Sequence, residues 1–329
     1  MRFSIAVRGF GVLALLALAA SCLPWGAASA GDYPERPIHW IVPYPPGGTT
    51  DALARDVAQA VGQALGQPIV IENRGGAGGR IAMNDAAKAT PDGYTLLVSD
   101  ASLATAPSLY KELPFDPVKD LQAVARFATV PHIVVVSPAL QAETLGELIA
   151  LSKQGNASLN FASAGVGSPL HLAGEALRIE TGIVWTHVPY KGAAPAILAV
   201  ISNEVQVATP SLPAALAFVL AGKLRALAVM SPQRLAVLPN VPTTAELGYP
   251  KATAQGWVGL HAPAGTPPAV LAMLEAAVTK ALQNPELRDH LAAQGADIAA
   301  LSGAPYGRFV ADEAQRWKHV VAVAGIPQE

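Results

Sequence analysis

The chain has 329 residues, 51% of them hydrophobic and only 14% charged, with a formal charge of -2. So sparse and slightly acidic a charge content, with no basic patch or long charge run, argues against nucleic acid as a partner. A single cysteine excludes a disulfide framework.

Arg2 and Arg8 precede an apolar block from Phe10 to Ala20, and Ala28-Ser29-Ala30 forms a small-x-small cleavage site. The pattern predicts a secretory signal peptide over residues 1–30, with an apolar part too short for a good membrane span. Cys22 lies inside it, in a poor lipoprotein box, so the mature chain from about Gly31 carries no thiol for catalysis or metal binding. Losing Arg2 and Arg8 from 22 basic residues against 24 acidic ones leaves a charge of -4. The remaining 299 residues (329 minus 30) exceed what one core usually organises, which predicts two lobes.

Ile38-His39-Trp40-Ile41-Val42 reads as a buried strand that stops at Pro43. Tyr44, Pro45 and Pro46 stiffen its exit, and Gly47-Gly48 allow backbone angles closed to other residues. Thr49, Thr50 and Asp51 can each cap the helix that follows, where Leu53, Val57, Val61 and Leu65 recur every four residues. A strand, a glycine loop and a helix start leave amide hydrogens and the positive dipole end facing a cleft, where an anion can sit. An ordinary strand-to-helix turn has the same letters, so the stretch alone leaves both readings open.

A strand at Pro68–Glu72, a glycine-rich loop at 73–80, a helix from Ile81 to Lys88 and a strand at Tyr94–Val98 follow. Such alternation predicts a parallel sheet covered by helices, with ligands at the carboxyl ends of strands, here Ser99-Asp100-Ala101-Ser102. Leu109 to Asp116 reads as an irregular connection. His132–Val136 is a strand crossing into a second lobe, which alternates helix (Leu145–Lys153), strand (Ser158–Ala162), helix (Leu170–Glu180), strand (Val184–Val188), helix (Pro195–Ile201) and strand (Leu224–Val229). A strand at Gln255–Leu260 carries the chain back, and the rest reads as mainly helical. The expected lobes are 31–131 with 253–329, and 132–252, and their two crossings imply a hinge.

Two loops of the second lobe repeat the chemistry of the first. In Phe161-Ala162-Ser163-Ala164-Gly165-Val166-Gly167-Ser168-Pro169, Ser168 can cap and Pro169 suits the first helical position. His171 then falls in the first turn, its ring either aimed at a bound anion or filling a polar edge. His187-Val188-Pro189-Tyr190-Lys191-Gly192 joins strand to helix in the same manner. Neutral donors thus gather at strand ends, an arrangement for capturing an anion without chemistry.

Val42-Pro43-Tyr44-Pro45-Pro46-Gly47-Gly48 with Asp51, and Glu72-Asn73-Arg74 with Gly76-Ala77-Gly78-Gly79, resemble the Bug family, the extracytoplasmic solute receptors of tripartite tricarboxylate transporters. Pro91-Asp92-Gly93-Tyr94, Gly165-Val166-Gly167-Ser168 with His171-Leu172, and His187-Val188-Pro189-Tyr190-Lys191-Gly192 continue the match, which spans the mature chain in order. The resemblance implies a periplasmic-binding-protein type II fold with two α/β lobes and a monomeric, periplasmic receptor without cofactor or metal. It also implies that a small carboxylic acid is held between the lobes for the transporter's membrane subunits. One carboxylate would be gripped by main-chain groups and ordered waters from residues 44–51 (Tyr44, Pro46, Gly47, Gly48, Thr49, Thr50, Asp51). The facing grip would come from 163–171 (Ser163, Ala164, Gly165, Val166, Gly167, Ser168, His171). The far end of the ligand would be read by Ser99, Ser102, Tyr190 and Thr209. Thr209-Pro210 departs from a Phe-Asp pair common in the family, which favours a plain carboxylic acid over an amino acid. A receptor reporting to a sensor protein would share the same site. A secreted hydrolase using Ser163 or Ser168 with His171 is the enzymatic alternative, although no Gly-x-Ser-x-Gly elbow or His-Glu-x-x-His pair is present.

Overall fold

A computed structural model describes residues 33–154 and 159–329; the expected signal peptide lies outside the described residues. Strand β1 (Ile38–Val42) leads through the glycine turn into helix α1 (Thr49–Leu65), which buries Leu53, Val57 and Val61 on the face their spacing defines. Strand β2 (Ile69–Asn73), helix α2 (Arg80–Ala87) and strand β3 (Thr95–Asp100) follow, and both β2 and β3 pair with β1 in parallel. Helix α3 (Ala101–Leu109) then occupies a stretch where the sequence suggests no helix.

The chain continues through β4 (Leu121–Pro131), β5 (Ile133–Val136), α4 (Leu145–Ser152), β6 (Asn160–Ser163), α5 (Pro169–Thr181), β7 (Thr186–Pro189), α6 (Ala193–Ile201) and β8 (Val207–Ala208). After α7 (Leu212–Leu220) and β9 (Arg225–Val229) come β10 (Gln255–Pro263), α8 (Pro268–Ala281), α9 (Pro285–Ala293), β11 (Asp297–Ser302) and α10 (Gly303–Ala324).

These strands form two sheets. The first has the order β11-β4-β10-β3-β1-β2, and the second β7-β6-β8-β5-β9. Both are mixed, not purely parallel. In the first, the returning strand β10 runs antiparallel to both β3 and β4, and β11 adds a further antiparallel edge that the sequence hides. In the second, β6 is parallel to β7 and β8, while β5 opposes β8 and β9.

Only His132 separates β4 of the first sheet from β5 of the second. Main-chain bonds knit this crossing to the return path. The amide of His132 donates to Ala254 O at 3.0 Å, that of Met230 to His132 O at 2.8 Å, and that of Ala254 to Met230 O at 2.9 Å. Each sheet packs its own core, with Ile41, Leu97, Leu103 and Trp257 in the first and Val134, Phe161, Leu172 and Leu177 in the second. Helix α10 enters both: Tyr306 and Val310 lie in the first core, Trp317, Val320 and Val321 in the second. Each large apolar side chain so buried contributes about 1.5–3 kcal/mol.

Candidate functional site

The first loop is built by the end of β1 and the start of α1. Gly48, not a side-chain donor, occupies the cap position of α1, and no side chain satisfies the helix start. The amides of Thr49 and Thr50 therefore find no acceptor among the described residues, and they carry the positive end of a 17-residue helix. Asp51 does not cap them. It is buried and accepts from the Gly47 amide at 2.9 Å, from Arg55 Nε at 3.0 Å and from Asn73 Nδ2 at 2.8 Å. Burial pushes its carboxyl up, but the bonds from Arg55, Gly47 and Asn73 outweigh that and leave it below the usual range. Asn73 also donates to Tyr44 O at 2.9 Å, so Asp51 and Asn73 shape the loop from behind. Gly47, at φ +87°, makes the turn, while Pro46, Gly47 and Gly48 lie exposed at its tip.

At the end of β3, successive side chains point to opposite faces. Ser99 turns into the core, where its hydroxyl lies 2.7 Å from His261 Nδ1 and 3.1 Å from the Tyr306 hydroxyl, and it offers nothing to a ligand. Asp100, within the strand end where the sequence places ligands, turns toward the loop. It caps α3 by accepting from the Ser102 amide at 2.9 Å and from the Ser102 hydroxyl. Thr50 Oγ1 donates to its other oxygen at 3.3 Å, and the Tyr44 phenol lies near enough to feel its charge. Burial raises Asp100, the Ser102 and Thr50 bonds offsetting only part of the rise. Burial and the Asp100 charge together push the Tyr44 phenol well above its usual value.

The second loop folds as its letters suggest. Ser168 caps α5 by accepting from the His171 amide at 3.3 Å, and Pro169 is the first helical residue. His171 is buried, and its ring holds the loop backbone: Nδ1 accepts from the Gly167 amide at 3.0 Å. The ring stacks on His187 with centroids 3.9 Å apart and planes 10° from parallel. Burial, with the neighbouring His187 and Arg178, lowers His171 to about 4. Glu175 lies 4.0 Å from His171 Nε2 and is paired with Arg178 at 2.6 Å.

His187 Nε2 lies 2.6 Å from the Ser163 hydroxyl, which in turn accepts from the Gly165 amide at 3.1 Å. Two stacked imidazoles thus set the loop, one through Ser163 and one through Gly167. The hydrolase alternative fails here, because Ser163 is fully buried against His187 and the His171 ring serves Gly167, not a serine hydroxyl.

The loop's donors are fewer than expected. The Gly165, Gly167 and Ser168 amides are taken by Ser163, His171 and Gly165 O, whereas the amide of half-exposed Val166 finds no acceptor among the described residues. Ala164 beside it is half-buried. Tyr190 borders the loop through its amide, which donates to Ser163 O at 2.9 Å, but its hydroxyl turns away to Glu204 at 3.0 Å. Thr209 is fully buried: its hydroxyl donates to Leu170 O at 2.7 Å and its carbonyl accepts from His132 Nδ1 at 2.7 Å. It holds α5 to the crossing and presents no polar group to a ligand.

Helix α3 brings the two loops into one neighbourhood. Its first turn holds Asp100 and Ser102 against Thr50 and Tyr44, and its last residue, Leu109, packs on Gly167, where an added Cβ would lie 2.9 Å from Leu109 Cδ2. Nine residues at 1.5 Å each separate the loops by about 14 Å along this axis. Every α3 residue but Pro107 is buried.

A family model described as the tripartite tricarboxylate transporter family receptor matches residues 53–326. Protein BugT of Bordetella pertussis is 41% identical over 299 residues, covering 90% of this chain and 92% of that protein. A Rhodopseudomonas palustris protein solved with adipate superimposes with a TM-score of 0.82 at 33% identity, covering 91% of this chain and all of that one. MatC of the same organism, solved with bound malate, gives a TM-score of 0.76 at 33% identity over 88% of this chain and 100% of its own.

Proposed function

The chain belongs to the tripartite tricarboxylate transporter receptor family, a family of periplasmic solute-binding receptors and not of enzymes, and from that premise we propose that it captures a small carboxylate and delivers it to the membrane subunits of such a transporter. The observation that carries the reading is the open start of α1: two adjacent amides, at the positive end of a long helix, with Gly48 leaving the approach clear. A carboxylate there would accept from Thr49 and Thr50, each charge-assisted bond worth about 1.5–3 kcal/mol net. The Val166 amide, beyond α3, would serve the same ligand from the second sheet's side. The two sheets with their helices would act as lobes, and the crossing at His132 as their hinge. The adipate and malate held by two relatives support the ligand class. Export to the periplasm would follow from the leader sequence at residues 1–30.

The test is a thermal-shift panel of carboxylic acids. An acid present at about 100 times its dissociation constant should add about 2.7 kcal/mol of stability and be recovered unchanged. No shift with any acid, or turnover of one, would overturn the reading.

A further inference from the structure

Resting on that reading of the site, we infer that Asp100 makes the Thr50 hydroxyl of the first loop an acceptor, so that the receptor prefers an acid carrying a hydroxyl, or another proton donor, beyond its anchored carboxylate. The argument is a proton count. A serine, threonine or tyrosine hydroxyl has one hydrogen to give and lone pairs that accept. Asp100, about nine-tenths buried, takes two of those hydrogens: from Thr50 Oγ1 at 3.3 Å and from Ser102 Oγ. It takes the Ser102 amide as well, at 2.9 Å. What Thr50, half-buried, still has to offer is lone pairs.

The donors of this rim are therefore main-chain amides at the α1 start, and its Thr50 side chain accepts. An ionised carboxylate fits the amides, but a second one beside Thr50 would meet lone pairs with the Asp100 charge behind them. A hydroxyl would meet the Thr50 oxygen, which accepts from no group among the described residues. The site thus asks for an anion at one end and a proton donor a few bonds away.

Calorimetry at neutral pH with matched acids, succinate against malate and glutarate against 2-hydroxyglutarate, tests this directly. The hydroxy acid of a pair should bind roughly tenfold tighter, the worth of one well-made hydrogen bond. In Asp100→Asn, the amide nitrogen is itself a donor and leaves at least one hydroxyl hydrogen free, so the preference should collapse toward unity. Thr50→Val, which removes one acceptor without touching Asp100, should shrink the same ratio; melting curves establish that each variant is folded. Equal or tighter binding of the plain acids, or a preference that survives in both variants, overturns the inference while leaving carboxylate capture intact. If no acid of the panel above binds, capture itself fails and this inference falls with it.

Discussion

At Gly48 the needs of the fold and of the ligand separate cleanly. Its φ of -80° is open to any residue, and a Cβ built there meets nothing within 4 Å. Gly48→Val should therefore leave stability within about 0.5 kcal/mol, as surface changes usually do. The isopropyl group would stand over the Thr49 and Thr50 amides, and carboxylate affinity should fall at least about tenfold, the loss of one hydrogen bond to a charged group. Calorimetry beside a melting curve distinguishes the two effects, and retained affinity would make the loop a mere connector. His171 gives a second residue-scale expectation. Its imidazole protonates near 6.5 when unfolded but only at about 4 in the fold, because burial and the neighbouring His187 and Arg178 disfavour the cation. Between those values the unfolded chain binds more protons, so stability is fully present above pH 6.5 and is lost as pH falls toward 4. The slope from this one group reaches about 1.4 kcal/mol per pH unit. His171→Gln should flatten that limb in urea unfolding measured across the window. An unchanged slope would mean that the ring is not held neutral against Gly167.

Among the elements, α5 shows how closely a helix can lie on a sheet. At Gly174 a built Cβ would come within 2.1 Å of Phe161 Cζ on β6, so only glycine lets the helix descend far enough for His171 to stack on His187. Gly174→Ala should cost about 1–3 kcal/mol by overpacking. It should also weaken carboxylate binding, since a lifted helix takes His171 off the Gly167 amide. Urea unfolding with a binding isotherm checks both, and a variant of unchanged stability would show that the helix rides higher. The same helix was legible in the sequence, because Ser168, Pro169 and the run of apolar positions announce a start and a buried face. So were β1 and α1, whose patterns are local. Helix α3 was not: buried on nearly every side and mixing small polar with apolar residues, it shows no apolar 3.6-residue period, and only Asp100 with Ser102 two residues on hints at its cap. Missing it hid the element that joins the loops. The pairing of His187 with Ser163 was hidden for another reason, since 24 residues separate them and only strand register brings them together. The buried placement of Thr209 and Ser99 is hidden because polar letters at a strand end do not say which face they take.

On the scale of the molecule, α10 is the tie that the two-lobe reading of the sequence lacked. A boundary assigning 253–329 to one lobe places Trp317, Val320 and Val321 with the first sheet, yet they pack with Val134, Phe161 and Leu177 of the second. A helix anchored in both cores, together with the main-chain bonds at His132, couples the unfolding of one half to the other. Trp40 and Trp257 sit in the first half, and Trp185 stacks on Phe161 in the second. Tryptophan fluorescence therefore samples both halves, and its urea transition should coincide with that of far-UV circular dichroism. Trp317→Ala should lower the stability by about 3–5 kcal/mol, as expected for truncating a buried tryptophan. On the proposed function, an acid reaching the amides of both loops would bridge the same two halves. Saturating acid should then move the single transition of the wild-type chain upward for both probes together. Two separated transitions without ligand would show that α10 does not couple the halves, and an acid that moved only one probe would place its grip in one sheet alone.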